Sequence, residues 1–215
     1  MKKWYWMASL AMVLLVYVSG AAAFEIITAE DIKMNIITKE VLVKTADNFV
    51  ILVDASGSMK APYPDHVDKL SAELQILKQR NEILTELGYN AGLYLFTPSK
   101  TYYEMQPYNQ AEFAAAIDSL PKTTKEAGTL ADQPTPLAEG IKALDPILAK
   151  LSGKTVVFIF SDGTYTFGGQ KLRPMDTAKE LAAKYDVCFY LISSASTPEA
   201  AKVLADLAAL NECSR

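Results

Sequence analysis

The sequence predicts a doubly wound α/β fold, with a mostly parallel central sheet, one antiparallel edge strand and helices on both faces. Three observations lead to this prediction. Short apolar runs alternate with longer amphipathic segments, two of the runs lead into an aspartate, and half of the 215 residues are hydrophobic. Strands that alternate with helices are joined by right-handed crossovers, so we expect the sheet to be largely parallel.

The beginning of the chain has the layout of a secretory signal peptide. Residues 1–3 include two lysines, residues 4–18 are almost wholly apolar, and residues 19–23 are small. We expect cleavage after Ala23 and a periplasmic or secreted protein of the cell envelope. The alternative is an uncleaved anchor in the inner membrane, because residues 4–23 are just long enough to span a bilayer.

Residues 24–46 are predicted to be a leading segment with a short helix near 29–35, and residues 47–215 to be the α/β domain. Apolar runs predict the strands, and apolar residues at helical spacing predict the helices. We expect strands at 49–53, 91–96, 101–105, 156–160 and 187–192. We expect helices at 70–87, 110–120, 136–151, 176–185 and 198–210.

Local residues indicate where several of these elements begin and end. Gly88 is placed to terminate the first helix, Asn109 to cap the second, and Pro136 to begin the third. The run 101–105 alternates apolar with polar residues, which is typical of an edge strand.

The two cysteines, Cys188 and Cys213, flank the last strand and the last helix. A strand of about six residues rises about 20 Å, and a helix of about 14 residues returns about 21 Å. The two sulfurs can therefore lie at the same level, as a disulfide requires, and an exported protein favours the bond. The alternative is a buried Cys188 with a free Cys213.

Hard oxygen donors follow two of the buried strands. Asp54, Ser56 and Ser58 come directly after the first strand, and Asp162 follows the run 156–160. In open α/β sheets, ligands bind beyond the carboxyl ends of the strands, where these groups would meet. Thr135, before Pro136, offers a further hydroxyl group. Such a donor set suits Mg²⁺, Ca²⁺ or Mn²⁺ and disfavours zinc or copper.

This pattern resembles the metal-ion-dependent adhesion site of von Willebrand factor type A (VWA) domains. The resemblance covers roughly residues 48–210 and rests on three segments: Asp54-x-Ser56-x-Ser58, Thr135-Pro136-Leu137 and Phe160-Ser161-Asp162-Gly163. The chain also resembles bacterial envelope members of the family, which often carry a C-terminal domain like that of outer membrane protein A. The sequence to Arg215 does not include such a domain, so the resemblance does not lead us to expect that this chain anchors to the cell wall in that way.

The resemblance implies a Mg²⁺ ion bound directly by Ser56, Ser58 and Thr135, with Asp54 and Asp162 often acting through water. It also implies that a carboxylate of a protein ligand, an exposed Asp or Glu, completes the shell of the ion. We expect Tyr63, Tyr165 and Phe167 to rim the metal face. Tyr102 and Tyr103 could equally rim it or pack within a strand.

Other functions are less compatible with the sequence. The net charge of −4 gives no indication of a basic surface that would bind phosphate backbones, so we do not expect nucleic acid as a partner. His66 is the only histidine, and no Gly-x-Ser-x-Gly elbow is present, so we expect no enzyme of the acyl-transfer type. A phosphatase that uses Asp54 would be expected to have a second acid at position 56, where Ser56 stands. We therefore expect no enzyme. The first alternative to a binding module is a structural module whose ion only holds loops together, and the second, less favoured, is a Mg²⁺-dependent hydrolase or phosphatase.

Overall fold

A computed structural model describes residues 43–129, 135–165 and 172–215. These ranges belong to one compact unit, Val41–Arg215. The predicted signal peptide at 1–23 and the predicted helix near 29–35 lie outside the described residues, so both stay predictions.

The described residues form five strands, six α-helices and one 3-10 turn, Gly57–Lys60. The strands are β1 (Asn48–Val53), β2 (Asn90–Phe96), β3 (Ser99–Pro107), β4 (Thr155–Ser161) and β5 (Val187–Ser193). The helices are α1 (Lys69–Ile83), α2 (Gln110–Asp118), α3 (Leu137–Lys142), α4 (Asp145–Leu148), α5 (Pro174–Lys184) and α6 (Pro198–Ala208). Of the helices in the described ranges, none has the length and apolar character needed to cross a membrane.

The strands form one sheet in the order β3-β2-β1-β4-β5. Neighbouring strands run parallel except for β2 and β3, whose pairing is antiparallel and places β3 at an edge. This arrangement confirms the predicted fold class, including its one antiparallel edge strand.

Helices cover both faces of the sheet, because the side chains of β1 alternate between two apolar clusters. Phe49, Ile51 and Val53 pack towards α1 and α2, whereas Val50 and Leu52 pack towards α3, α5 and α6. All six residues of β1 are buried, which explains its unbroken apolar sequence. Burying one such side chain stabilises the fold by about 1.5–3 kcal/mol.

Helix α1 ends earlier than the predicted range 70–87. It stops at Ile83, and Leu84 already has an extended backbone. The side-chain amide of Gln110 accounts for this end, because it lies 2.7–3.1 Å from three terminal carbonyl oxygens, those of Asn81, Glu82 and Leu84. Gly88 adopts a positive φ of 74° in the loop that follows, rather than at the helix terminus.

The predicted helix 136–151 is two short helices, α3 and α4. Pro146 explains the interruption, because proline has no N–H to donate to the carbonyl oxygen of Lys142 and its ring crowds that group. The sequence-based prediction was therefore wrong in treating this segment as one continuous helix.

The disulfide between Cys188 and Cys213 is present, as the sequence predicted. The two Cα atoms are 5.4 Å apart, and the bond links residues separated by 25 positions. Cys188 is the second residue of β5, and Cys213 follows α6, so the helix does return the chain to the beginning of the strand.

The outer edge of β5 is paired with the residues just after Cys213. The Leu191 N–H donates to the Arg215 carbonyl oxygen at 2.8 Å, and the Arg215 N–H donates to the Phe189 carbonyl oxygen at 2.9 Å. The hydroxyl of Ser214 also accepts from the Phe189 N–H at 3.0 Å. Backbone groups that would otherwise be open at this edge are thereby satisfied.

Candidate metal centre

The carboxyl ends of β1 and β4 lie side by side in the middle of the sheet. Val53 pairs with Phe160 in register, and the Asp54 N–H donates to the Phe160 carbonyl oxygen at 2.9 Å. Asp54 directly follows β1, and Asp162 directly follows β4. The two aspartates therefore emerge at the same edge of the sheet, where ligands of open α/β sheets bind.

A continuous chain of hydrogen bonds joins four of the five predicted ligands. The Ser56 N–H donates to Asp54 Oδ1 at 2.8 Å, and the hydroxyls of Ser56 and Ser58 are 3.1 Å apart. The Ser58 hydroxyl in turn donates to Asp162 Oδ1 at 3.3 Å. Residues from two separate strand ends thus place their oxygens within one small volume.

The fifth predicted ligand, Thr135, is buried directly before Pro136, the N-cap of α3.

The aromatic residues predicted to rim the metal face lie in different surroundings. Tyr63 is half-buried, with its ring beside that of His66, and Tyr165 packs against the apolar cluster beneath α3 and α5. Phe167 lies outside the described residues. Tyr103 is a core residue, edge-on to Phe113 with ring centroids 5.1 Å apart, so it packs within the fold rather than at a rim.

Asp54 is fully buried, and a serine that the sequence analysis did not single out supports it. The Ser161 hydroxyl donates to Asp54 Oδ2 at 2.8 Å and accepts from the Gly163 N–H at 3.1 Å. Burial raises the pKa of Asp54 to about 6, although hydrogen bonds from Ser56 and Ser161 oppose the shift. The available signal was a polar residue at the end of an otherwise apolar strand.

Lys69, the first residue of α1, also enters the site, and nothing in the sequence pointed to it. Its ammonium group donates to Asp162 Oδ2 at 2.7 Å and to the Ser196 hydroxyl at 3.0 Å. Both members of the Lys69–Asp162 ion pair are almost fully buried, with 3% and 1% of their side-chain surface exposed. The site therefore contains a fixed positive charge beside one of its two aspartates.

A third buried acid, Glu73, lies one helical turn beyond Lys69. Its Oε1 atom accepts from the Ser194 hydroxyl at 2.6 Å, whereas Oε2 has no hydrogen-bond partner among the described residues. Burial raises the pKa of Glu73 well above its usual range, and the negative charges of Asp54 and Asp162 add to the shift.

This environment predicts how a Glu73→Gln variant responds to pH. Because the pKa of Glu73 is raised by folding, the folded state loses stability as pH rises from about 4.5, the unfolded value, through the folded pKa. Glutamine mimics the protonated acid and removes this loss. We expect the melting temperature of the variant to exceed that of the wild type by a margin that grows from pH 5 to pH 8. Glu82→Gln, at an exposed position of the same helix, is the control. If the melting temperatures of both variants changed with pH in the same way, the raised pKa of Glu73 would be contradicted.

The donor set fits a hard divalent cation. Among the described residues, no group of three or more His, Cys, Asp or Glu side chains is arranged to hold a metal ion. The candidate centre instead combines two carboxylates with serine and threonine hydroxyls, all of them oxygen donors. Oxygen ligands of this kind suit Mg²⁺, Mn²⁺ or Ca²⁺, and the absence of thiolate and imidazole among them disfavours softer metals.

Solved structures of other proteins share this architecture. Proximal thread matrix protein 1 (PTMP1) from the mussel byssus aligns with a TM-score of 0.55 at 14% identity, over 74% of this chain and 38% of that one. The SpRpn10 VWA domain aligns with a TM-score of 0.52 at 15% identity, over 79% of this chain and 85% of that one. The chain has a von Willebrand factor type A fold.

Two structures with this VWA fold are described with divalent metals. One is PTMP1 with a zinc-occupied MIDAS motif, at 16% identity and a TM-score of 0.55 over 74% of this chain and 40% of that one. The other is the manganese-loaded TRAP protein of Plasmodium vivax, at 15% identity and a TM-score of 0.51 over 76% of this chain and 63% of that one. No protein-family model and no curated protein sequence matches the chain.

Proposed function

We propose that this VWA domain is a metal-dependent protein-interaction module, which binds an acidic group of a partner protein through a divalent cation. Mg²⁺ is the cation we propose, with Ca²⁺ or Mn²⁺ as alternatives. The residues that would hold it are Asp54, Ser56, Ser58, Thr135 and Asp162.

The hydrogen-bonded chain from Asp54 through Ser56 and Ser58 to Asp162 is the observation that carries this proposal. It brings oxygens from the ends of two separate strands together in one small volume. Lys69 already pairs with Asp162, and a bound cation would also supply positive charge beside the buried Asp54, whose pKa is raised by burial and by the nearby charge of Asp162. PTMP1 with a zinc-occupied MIDAS motif and the manganese-loaded TRAP protein give metal binding on this fold a precedent.

Binding rather than catalysis is the role that the site chemistry favours. The one histidine, His66, lies in the loop before α1 with its ring beside Tyr63, and no described contact joins it to the serines of the site. A cation can instead supply charge to bind a partner's Asp or Glu, and the acidic net charge of −4 argues against nucleic acid as the partner. We further propose that the domain acts in the cell envelope, periplasmic or secreted, where the Cys188–Cys213 disulfide persists.

The metal site is tested by the thermal response to Mg²⁺. A ligand that binds only the folded state at 100 times its Kd stabilises that state by about 2.7 kcal/mol, so we expect MgCl₂ to raise the melting temperature of the wild type by about 5–10 °C. Ser58→Ala should abolish that rise while leaving the circular dichroism spectrum unchanged. Ser99→Ala, at an exposed position of β3, is the matched control and should respond as the wild type does. An equal response in Ser58→Ala would contradict the assignment.

The interaction role is tested separately by crosslinking the native protein in its cell envelope, with Mg²⁺ and with a chelator. A binding module should yield partners that disappear with chelator and in Ser58→Ala. The alternative, an ion that only ties loops together, predicts a magnesium-dependent melting temperature with no magnesium-dependent partner. An assay with a generic aryl phosphate checks the proposed lack of phosphatase activity, and we expect no turnover.

A further inference from the structure

Lys69 occupies a position that is unfavourable for a lysine by two local criteria. It is the first residue of α1, where the helix dipole disfavours positive charge, and only 3% of its side chain is exposed. Its backbone is fixed by the capping box of Asp68 and Ser71, and its N–H donates to the Ala61 carbonyl oxygen at 3.0 Å. A residue that local rules disfavour is retained most readily for its contacts within a site.

Those contacts neutralise one of the proposed metal ligands. The Lys69 ammonium donates to Asp162 Oδ2. The other oxygen, Asp162 Oδ1, accepts from the Ser58 hydroxyl at 3.3 Å and from the Thr164 N–H at 2.9 Å. Every oxygen of this carboxylate is therefore already satisfied by the protein. A divalent cation that draws on Asp162 must act against a nearby positive charge, because like charges in a buried site repel.

The structure also contains an acceptor to which the ammonium could move. Glu73 lies four residues after Lys69 in α1, and residues at that spacing are neighbours on one helix face. Its Oε2 atom is buried without a hydrogen-bond partner among the described residues. Burial disfavours the ionised form of this acid, and an ammonium group brought to Oε2 would supply both the positive charge and the hydrogen-bond donor that the ionised form lacks.

We propose that Lys69 is an internal counter-ion that competes with the divalent cation for Asp162, and that Glu73 accepts the Lys69 ammonium when the cation binds. This proposal rests on the metal site proposed above. Lys69 then lowers the affinity of the site for metal and holds Asp162 in place when no metal is bound. Glu73 has the opposite effect, because it stabilises the position of Lys69 that leaves Asp162 available.

The two residues should therefore change metal affinity in opposite directions. Coupling between two interacting sites typically changes an affinity by about 5- to 150-fold. We expect Lys69→Met to tighten Mg²⁺ binding within that range, since the competing charge is gone. We expect Glu73→Gln to weaken Mg²⁺ binding, since the Lys69 ammonium then remains paired with Asp162. In Lys69→Met/Glu73→Gln the glutamine should have no further effect, because no ammonium remains to be accepted.

Isothermal titration calorimetry with MgCl₂ alone measures these affinities on the whole chain. Lys78→Met is the matched control, because Lys78 lies on the same helix and pairs with Asp118 at 3.0 Å in an exposed ion pair. We expect its Mg²⁺ affinity to equal that of the wild type. If Lys69→Met folds only on addition of Mg²⁺, the refolding midpoint by circular dichroism reports the same tightening.

Ser196→Ala is the second variant, for the case in which Lys69→Met does not fold at any Mg²⁺ concentration. It removes the other hydrogen bond of the ammonium and should also tighten Mg²⁺ binding, by a smaller factor. Unchanged or weaker binding in the folded Lys69 variant, or failing that in Ser196→Ala, overturns the counter-ion role. A Glu73→Gln effect that persists in the double variant overturns the acceptor role. Failure of the wild type and every variant to bind Mg²⁺ would instead reject the metal site itself.

Discussion

Gly163→Ala is expected to destabilise the domain by about 3 kcal/mol, measured as the free energy of unfolding in urea. Gly163 follows Asp162 and has a positive φ of 72°. A Cβ atom there would overlap the Ala200 carbonyl oxygen and lie 2.8 Å from Leu204 Cγ, both in α6. The left-handed backbone costs an alanine about 1–2 kcal/mol, and crowding in a packed interior adds about 1–3 kcal/mol.

Gly88→Ala separates the two contributions. Gly88 has nearly the same φ, 74°, but a Cβ atom there would meet nothing within 4 Å. We therefore expect Gly88→Ala to lower the free energy of unfolding only by the cost of the left-handed backbone, about 1–2 kcal/mol. Equal losses in the two variants would show that the close approach of α6 to the chain beside Asp162 has no energetic consequence.

Removal of the disulfide is expected to have an effect of similar size. Replacing both Cys188 and Cys213 with alanine releases a loop of 25 residues in the unfolded chain, which the chain-entropy model values at about 3 kcal/mol. For a domain of this size the melting temperature should fall by about 6–12 °C, measured by differential scanning calorimetry.

Reduction of the wild-type protein provides the control for that experiment. Dithiothreitol should lower the melting temperature of the wild type towards that of the double alanine variant and leave the variant unchanged. A variant that responds to the reductant as the wild type does would point to an effect unrelated to Cys188 and Cys213.

The architecture could be predicted because its strongest signals are local. The run 49–53 is apolar at every position because β1 is buried on both faces, and Asn109 caps α2 through a hydrogen bond from the Glu112 N–H at 2.9 Å. The edge position of β3 followed from its alternating, more polar sequence. Each of these features depends on residues within a few positions of one another, so a single sequence contains the information.

The features that escaped prediction depend on partners distant in sequence. The end of α1 is set by Gln110, which lies 29 positions from one carbonyl that it satisfies. The Lys69–Asp162 pair spans 93 positions, and the Ser194–Glu73 hydrogen bond spans 121. No periodicity or cap signals such contacts, because they arise only when the sheet brings separate loops to the same edge.

The candidate site was predictable in its oxygen donors but not in its charge balance. The spacing of Asp54, Ser56 and Ser58 after a buried strand was sufficient to predict three candidate oxygen ligands at the edge of the sheet. In the structure, hydrogen bonds connect these three residues to Asp162. The sequence suggested two carboxylates that a metal would have to neutralise. The fold shows that Lys69 already neutralises one of them, a contribution that spacing alone could not indicate.

The pairing of Arg215 with β5 gives the disulfide a second consequence, in solubility. Cys213 is covalently fixed to the beginning of β5, and this keeps the neighbouring residues along the outer margin of that strand. If thiol reagents release them, the N–H and C=O groups of Phe189 and the N–H group of Leu191 become open to strands of other molecules. Preparations handled under reducing conditions should therefore accumulate intermolecular β-sheet before they lose their helices.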